Sequence, residues 1–345
     1  MQNYYLPPEW APQSGVMLTW PHADSDWAPL LQEVEQVFVN IAKNIAPYEK
    51  VLITCFDQAH CEHISQLLQN AHVSLSALQL HIAPSDDTWV RDHGPITVLA
   101  QNQPLLLNFK FNAWGGKYSA NRDDQITTLL HQQKAFAATP IETINLILEG
   151  GSIETDGQGT LLTTTRCLLA DTRNKNITRD ELLKTLQPLF GIQRILWLEN
   201  GYLAGDDTDS HIDTLARFTD AHTICYVQCD DPNDTHYPAL KTMEQELKAF
   251  KDFQGNPYQL VPLPWPKSIN NKEGKRLPAT YANFLIINNA VLVPVYNDQV
   301  DEKALQQIQR CFADRKIIGI RCETLIEQFG SLHCVTMQLP AGVLV

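Results

Sequence analysis

The sequence predicts an α/β fold. Three observations carry this. Apolar strand patterns and amphipathic helix patterns alternate along the whole chain. Adjacent strands are often close enough to pair as hairpins. The 345 residues, 44% hydrophobic, easily supply a sizeable core.

The first helix follows "DSDW". Leu30, Leu31, Val34, Val37, Phe38, Ile41 and Ile45 recur at helical spacing. "VLITCF" then reads as a strand and residues 59–70 as a helix. "ITVLA" and "PLLLNFKF" read as strands, and 123–138 as a helix. "SIET" and "TLLTTT" flank "DGQG", a hairpin signal. Thr178 and Glu181 form a capping box ahead of an apolar helix. "RILWLEN", "ARF" and "TICYVQ" read as strands and 237–253 as a helix. "YQLVPL", the paired strands of "FLIINNAVLVPVY", a helix over 300–313, the strand "KIIGIRC" and the short helix "ETLIEQFG" complete the chain. The pattern is not a simple doubly wound one, because so many neighbouring strands pair directly. No linker, repeat or low-complexity segment stands out. The polar stretch "KSINNKEGKRLPATY" reads as a surface loop or a lid.

Lys and Arg total 26 against 39 Asp and Glu, a net charge of −13. That balance argues against a non-specific nucleic-acid binder and suits cationic small substrates. "MQNYYLPPEW" shows no basic and apolar leader pattern, and the longest apolar runs are broken by Asn and Pro. The expectation is a cytoplasmic protein, away from membranes, whose eight cysteines are reduced thiols.

Four stretches concentrate reactive residues. "SDDTWVRDHGP" holds Asp86, Asp87, Arg91, Asp92 and His93 around Trp89. It reads either as a charged loop or as a carboxylate presented beside an indole, which suits a planar cation. "LEGGSIETDG" places Glu149 at the end of an apolar run before two glycines, as a turn or as a site carboxylate. In "GYLAGDDTDSHIDTLARF", His211 and Asp213 are two apart, so on a strand both would face one side. His-x-Asp can also ligate a metal, but no second His-rich cluster completes such a site. "GSLHCVTMQLP" carries Cys334, either a structural hydrophobe or a nucleophile. "HCEH" at 60–63 and the set His222, Cys225, Cys229 and His236 match no standard metal spacing and are read as structural.

One thiol, one His-x-Asp and two further carboxylates suggest a positively charged carbon as target. Guanidinium fits, being planar, cationic and able to donate in a fork that carboxylates accept. A cysteine hydrolase of amides would gain nothing from the surplus acids, which raise the thiol pKa when no cation offsets them.

At this point the chain resembles a known family. "PPEW", "DDTWVRDHGP", "FNAWGG", "LEGGSIETDGQGT", "GDDTDSHID", "RLPATYANFLIINNAVLVPVY" and "GSLHCVTMQ" occur in order, from about residue 7 to residue 339. Together they resemble the agmatine deiminases, in the guanidino-modifying superfamily that includes peptidylarginine deiminases. The resemblance implies one catalytic domain over 1–345 with the pentein fold, five α/β blades around a central funnel. It implies Cys334 as nucleophile, His211 as general acid/base, Asp92 and Asp213 as guanidinium-binding carboxylates, and Glu149 as the acid paired with the histidine or the substrate. Trp89, Asp207, Asp86, Trp114 and Gly116 are implied at the substrate channel. Asp207 stands where the family often has Glu, Ser210 where relatives commonly have Gly, and Ala170 and Asp171 depart from the usual "CLLNxxRN". Further implications are agmatine as substrate, N-carbamoylputrescine and ammonia as products, a place in polyamine biosynthesis or agmatine degradation, no metal or organic cofactor, and a homodimer. The alternatives are a deiminase of free or peptidyl arginine, an amidinotransferase, and a non-catalytic polyamine-binding relative.

Overall fold

A computed structural model describes residues 4–344. The leader pattern sought at residues 1–3, and the ends of the expected 1–345 domain, lie outside them. The described strands form five separate sheets. Four of them repeat one motif, in which an antiparallel hairpin is followed by a helix and a strand returning parallel to the second hairpin strand.

The hairpins Ile96–Ala100 with Gln103–Lys110, Glu154–Thr155 with Thr160–Thr164, Ala216–Asp220 with Thr223–Val227, and Leu285–Ile287 with Ala290–Val295 are all antiparallel. The parallel strands Ile141–Ile147, Arg194–Leu198, Gln259–Leu263 and Lys316–Arg321 complete them. The helices Asp123–Gln132, Arg179–Phe190, Tyr237–Ala249 and Asp301–Cys311 make the crossovers, because a parallel pair cannot be joined by a tight turn. The fifth sheet joins the two ends of the chain. Met337–Pro340 lies antiparallel to Gln13–Thr19, which is followed by the helix Leu31–Ile45 and the parallel strands Lys50–Cys55 and Leu78–Ile82.

The α/β expectation is met, and so is the Thr178–Glu181 capping box. Some boundaries differ. The helix expected over 123–138 stops at Gln132, where Lys134 and then Ala137 turn into the left-handed region. That expected over 237–253 ends at Ala249, and "ETLIEQFG" keeps one helical turn, Glu323–Ile326, before Phe329 reverses the chain at φ 67°. Gln13–Thr19 was not anticipated as a strand. Its residues Val16 to Thr19 are all buried, so it lacks the polar alternation of a one-faced strand. No helix among the described residues is long and apolar enough to cross a membrane.

Candidate active site

The repeat positions the chemistry. Asp92 ends a helical turn, Val90–His93, just ahead of its hairpin. Glu149 precedes the second hairpin, His211 and Asp213 the third, Asn283 the fourth, and Cys334 the strand Met337–Pro340 of the fifth sheet. Each sheet therefore offers a residue from the loop entering its first strand.

These loops converge on Gly151. A Cβ there would lie 2.6 Å from His211 Nδ1, 2.9 Å from Asp92 Oδ1 and 3.1 Å from Asp213 Oδ2, so only a bare backbone fits. His211 and Asp213 do share this space, but not as residues on one strand. Ile212–Thr214 is a 3₁₀ turn that begins directly after His211. The turn is entered through Asp209 and Ser210 at φ 67° and 68°, a conformation glycine adopts freely.

Cys334 is 6% exposed. Its Sγ lies 3.4 Å from Asn283 Oδ1 and 4.0 Å from Asp213 Oδ2. Burial, then Asp213 and Asp92, push the thiol well above its ordinary range. Asp213 is fully buried. His333 Nδ1 lies 2.8 Å from its Oδ2, while Oδ1 has no partner among the described residues. Burial alone would raise the Asp213 pKa, but the bond to His333 outweighs it and keeps the carboxylate ionised.

Asp92 accepts from Trp114 Nε1 at 2.9 Å and from the Gly151 amide at 3.0 Å. Burial lifts it to about 6, with His211 opposing and Asp213 and Glu149 adding to the rise. The Trp114 bond is held at a cost, because Ala113 and Trp114 sit at φ 51° and 55°, strained by about 1–3 kcal/mol each.

His211 lies between two acids. Nδ1 is 3.6 Å from Asp92 Oδ1 and Nε2 is 3.5 Å from Glu149 Oε2. Burial favours the neutral ring, but Asp92 overrides it, with Cys167 and Glu149, and holds the imidazole well above its usual range. Glu149 is fixed by Arg173 Nε at 3.0 Å, and Cys167 Sγ lies 3.8 Å from its other oxygen. The donor atoms of Glu149, Cys167 and His211 lie within 4.8 Å of one another, a set of types that can hold a zinc-like ion.

A cleft of about 400 Å³ leads to Cys334. Trp89, Trp114 and Phe329 form its apolar walls, and Asp92 and Cys334 its floor. Trp89 packs between Trp27 and Trp114, at centroid distances of 5.9 and 6.4 Å. It also lies so close to Gly330 that a Cβ there would sit 2.1 Å from the ring. Asp26, Asp87, Asp207 and Tyr118 line the cleft as well, and no basic residue does. Tyr118 donates to Asp207 Oδ2 at 2.8 Å.

Two expected channel residues do not line this cleft. Asp86 accepts from the Arg122 amide at 2.8 Å and is absent from the cleft lining; Asp87 lines it instead. Gly116 lies in the exposed turn after Trp114 and does not line it either. Residues 266–283, the stretch read as a loop or lid, are not part of the lining, although Lys275 Nζ sits 4.0 Å from the centre of the Phe329 ring. The histidines of the two apparent metal motifs have local partners: His60 accepts from Phe56, His63 pairs with Glu35, His222 with Asp252 and His236 with Asp234. Asn283, His333, Glu9, Arg173 and Arg217 were given no role from sequence. Asn283 could have been found from its place ahead of a hairpin, which it shares with the other four.

The chain matches the Porphyromonas-type peptidyl-arginine deiminase family over residues 5–340. It is 32% identical to a Vibrio parahaemolyticus protein named "Putative agmatine deiminase", with 98% of this chain and 97% of that one covered. A solved structure from Porphyromonas gingivalis, described as "Putative Arginine Deiminase", is 49% identical with a TM-score of 0.93, over 98% and 99% of the two chains. A substrate-bound Cys-to-Ser variant of C. jejuni agmatine deiminase is 37% identical with a TM-score of 0.90, over 97% and 96%. The chain thus belongs to the Porphyromonas-type peptidyl-arginine deiminase family and is similar to proteins named agmatine deiminase.

Proposed function

We propose that this protein hydrolyses agmatine to N-carbamoylputrescine and ammonia. One observation carries the reading: the buried Asp213 carboxylate lies with Oδ2 4.0 Å from the Cys334 thiol, while its Oδ1 has no partner among the described residues. A buried unpaired anion is costly, and a planar cation laid over the thiol would satisfy it. Asp92 offers a second carboxylate to the same cation.

The steps follow from these positions. The cation offsets Asp92 and Asp213, which with burial hold the thiol protonated; the thiol releases its proton to solvent, and the Cys334 thiolate attacks the guanidinium carbon. His211, as imidazolium, gives a proton to the leaving nitrogen, and ammonia departs from an S-alkylthiouronium. The neutral His211 then takes a proton from water, which attacks the same carbon. The C–S bond breaks and the ureido product leaves. Glu149 and Asp92 favour the protonated ring that the first step needs.

The mouth selects the substrate. Agmatine ends in an amine and arginine also carries a carboxylate. Asp26, Asp87 and Asp207 line the cleft without a basic residue, which attracts the first and repels the second. Deimination of arginine is the second reading, favoured by the 49% identical relative so described.

In this reading the five sheets are the blades of a propeller around a funnel and the chain is one catalytic domain. The protein is cytoplasmic, a homodimer without a cofactor, and serves polyamine synthesis or agmatine breakdown. The test is to give EDTA-treated protein agmatine, arginine and a blocked arginine peptide separately, and to quantify ammonia and ureido product. Both products from agmatine alone are expected. Turnover of arginine alone would replace this reading with the second.

A further inference from the structure

Behind Cys334 lies a buried charge network that the steps above do not use. Its centre is His333, 1% exposed, the residue before the nucleophile. His333 Nδ1 lies 2.8 Å from Asp213 Oδ2, and Nε2 lies 2.8 Å from Glu9 Oε1. Glu9 comes from the opposite end of the chain. It is itself held by Arg91 at 3.2 Å, by Gln338 at 2.8 Å and by Arg217. Burial would raise the Glu9 pKa, but Arg217, His333 and Arg91 together hold it well below the usual carboxylate range. The His333 backbone is fixed too, its amide donating to Asn283 Oδ1 at 2.8 Å.

The consequence falls on Asp213. A carboxylate gripped by one oxygen presents the other, and the grip decides which. Oδ2 is taken by His333 and Oδ1 is left without a partner. None of His333, Glu9 and Asp213 lines the cleft, but Asp213 reaches within 4.0 Å of the Cys334 thiol, which does, and His333 and Glu9 stand behind it. Glu9 lines a separate cavity of about 630 Å³, which shares no lining residue with the cleft.

We propose that His333, braced by Glu9, is a positioning residue that grips Asp213 Oδ2, the oxygen 4.0 Å from the Cys334 thiol, and so fixes the orientation of the whole carboxylate beside the nucleophile. The kinetic part of this proposal rests on the deiminase reading; the geometric part does not. It makes the N-terminal segment, through Glu9, a working part of a site whose nucleophile is near the C-terminus.

Amide replacements separate the two ring nitrogens. In His333→Asn the amide nitrogen falls near the place of Nδ1 and can still donate to Asp213. In His333→Gln it reaches toward the place of Nε2 and can meet only Glu9. A hydrogen bond to a charged group corresponds to about ten- to a hundredfold in an equilibrium. We expect His333→Gln to lose that much in kcat/KM for agmatine, mostly through KM, and His333→Asn to lose clearly less. A readout free of turnover is the rate at which Cys334 is alkylated by chloroacetamidine, a planar cation, relative to neutral chloroacetamide. That ratio should fall about tenfold or more in His333→Gln and be largely kept in His333→Asn. Glu9→Gln, which keeps the shape but not the charge of the brace, should lower it by a smaller factor and serves if His333→Gln does not fold. An unchanged ratio in a folded His333→Gln or Glu9→Gln protein, or equal losses for Asn and Gln, would overturn the proposal. Should wild-type protein turn over no guanidino compound while the ratio still separates Asn from Gln, the deiminase reading falls and the positioning role stands.

Discussion

The floor and the mouth of the cleft are both acidic, but they hold their carboxylates differently. At the floor and directly beneath it, Asp92 and Asp213 are buried and tied to Trp114, Gly151 and His333, with Asp213 Oδ1 without a partner among the described residues. At the mouth, Asp207 is tied to Tyr118, a side chain that is itself 46% exposed. A charge in the low-dielectric floor acts at full strength on a nearby cation, whereas one in partial contact with water is screened. The floor is therefore built for chemistry and the mouth for selection. The largest mutational effects should lie at the floor.

The largest is Cys334→Ser. On the proposed mechanism it removes the bond-forming atom, and turnover should fall by about 10⁴-fold or more. Agmatine should still bind, because the carboxylates remain. Single-turnover product analysis and calorimetric titration check the two halves. A serine variant with appreciable turnover would end the covalent mechanism.

Asp213→Asn comes next. It removes the charge but keeps the shape, and breaking a buried charge pair costs about 3–5 kcal/mol, or some 10²- to 10⁴-fold in kcat/KM. A loss below tenfold would mean that the open oxygen is not the cation's partner.

Third is acidity. Asp92 is lifted to about 6, so it loses its charge as pH falls through that value. The expected kcat/KM declines steeply below pH 6 through loss of cation binding and goes on rising more gently above it, because Cys334 must also shed its proton before it attacks. Free Cys334 behaves in the opposite sense. Its raised pKa leaves it a thiol at neutral pH, so neutral iodoacetamide should alkylate it slowly until well above the ordinary thiol range. A bound guanidinium should shift that profile downward.

The same contrast explains what sequence alone could read. The floor residues Asp92, Glu149, His211, Asp213 and Cys334 stand in polar stretches that interrupt apolar patterns, so they were visible. Asn283 was not, because it lies inside "YANFL", an apolar run with no charged neighbour. Glu9 and Arg217 pair with residues far away in sequence, and no local pattern records such a pair. The His211–Asp213 proximity was foreseen from strand alternation and arises instead from a 3₁₀ turn. At the mouth, choosing Asp86 rather than Asp87 depended on a neighbour, Arg122, 36 residues away. The five-sheet arrangement came only from the family resemblance and not from the residue pattern, because its units share topology while their side chains differ, supplying an acid, an amide, an imidazole or a thiol at the same place.

Asp207→Asn sharpens the mouth half of the comparison. The effect should be about threefold to tenfold on KM for agmatine, with kcat kept, since exposed charge pairs contribute about 0.2–1 kcal/mol and this one is partly covered. KM for arginine should fall or stay level, because a repelling charge is gone. Added salt should mimic the mutation for agmatine by screening.

Tyr118→Phe is the smallest and the most diagnostic. The hydroxyl donates to Asp207 and holds one oxygen in place. Burial raises the Asp207 pKa, and this bond is the chief effect opposing it. Removing the hydroxyl should therefore let Asp207 take up a proton at higher pH. At pH 8 the KM for agmatine should change by no more than about threefold, the scale of one partly exposed hydrogen bond. As pH is lowered the gap from wild type should widen, because the variant loses the Asp207 charge first. In an Asp207→Asn background the Tyr118 substitution should add nothing at either pH. A pH-independent gap, or a gap that persists in that background, would show that Tyr118 acts on the substrate directly and that the mouth is not organised around Asp207.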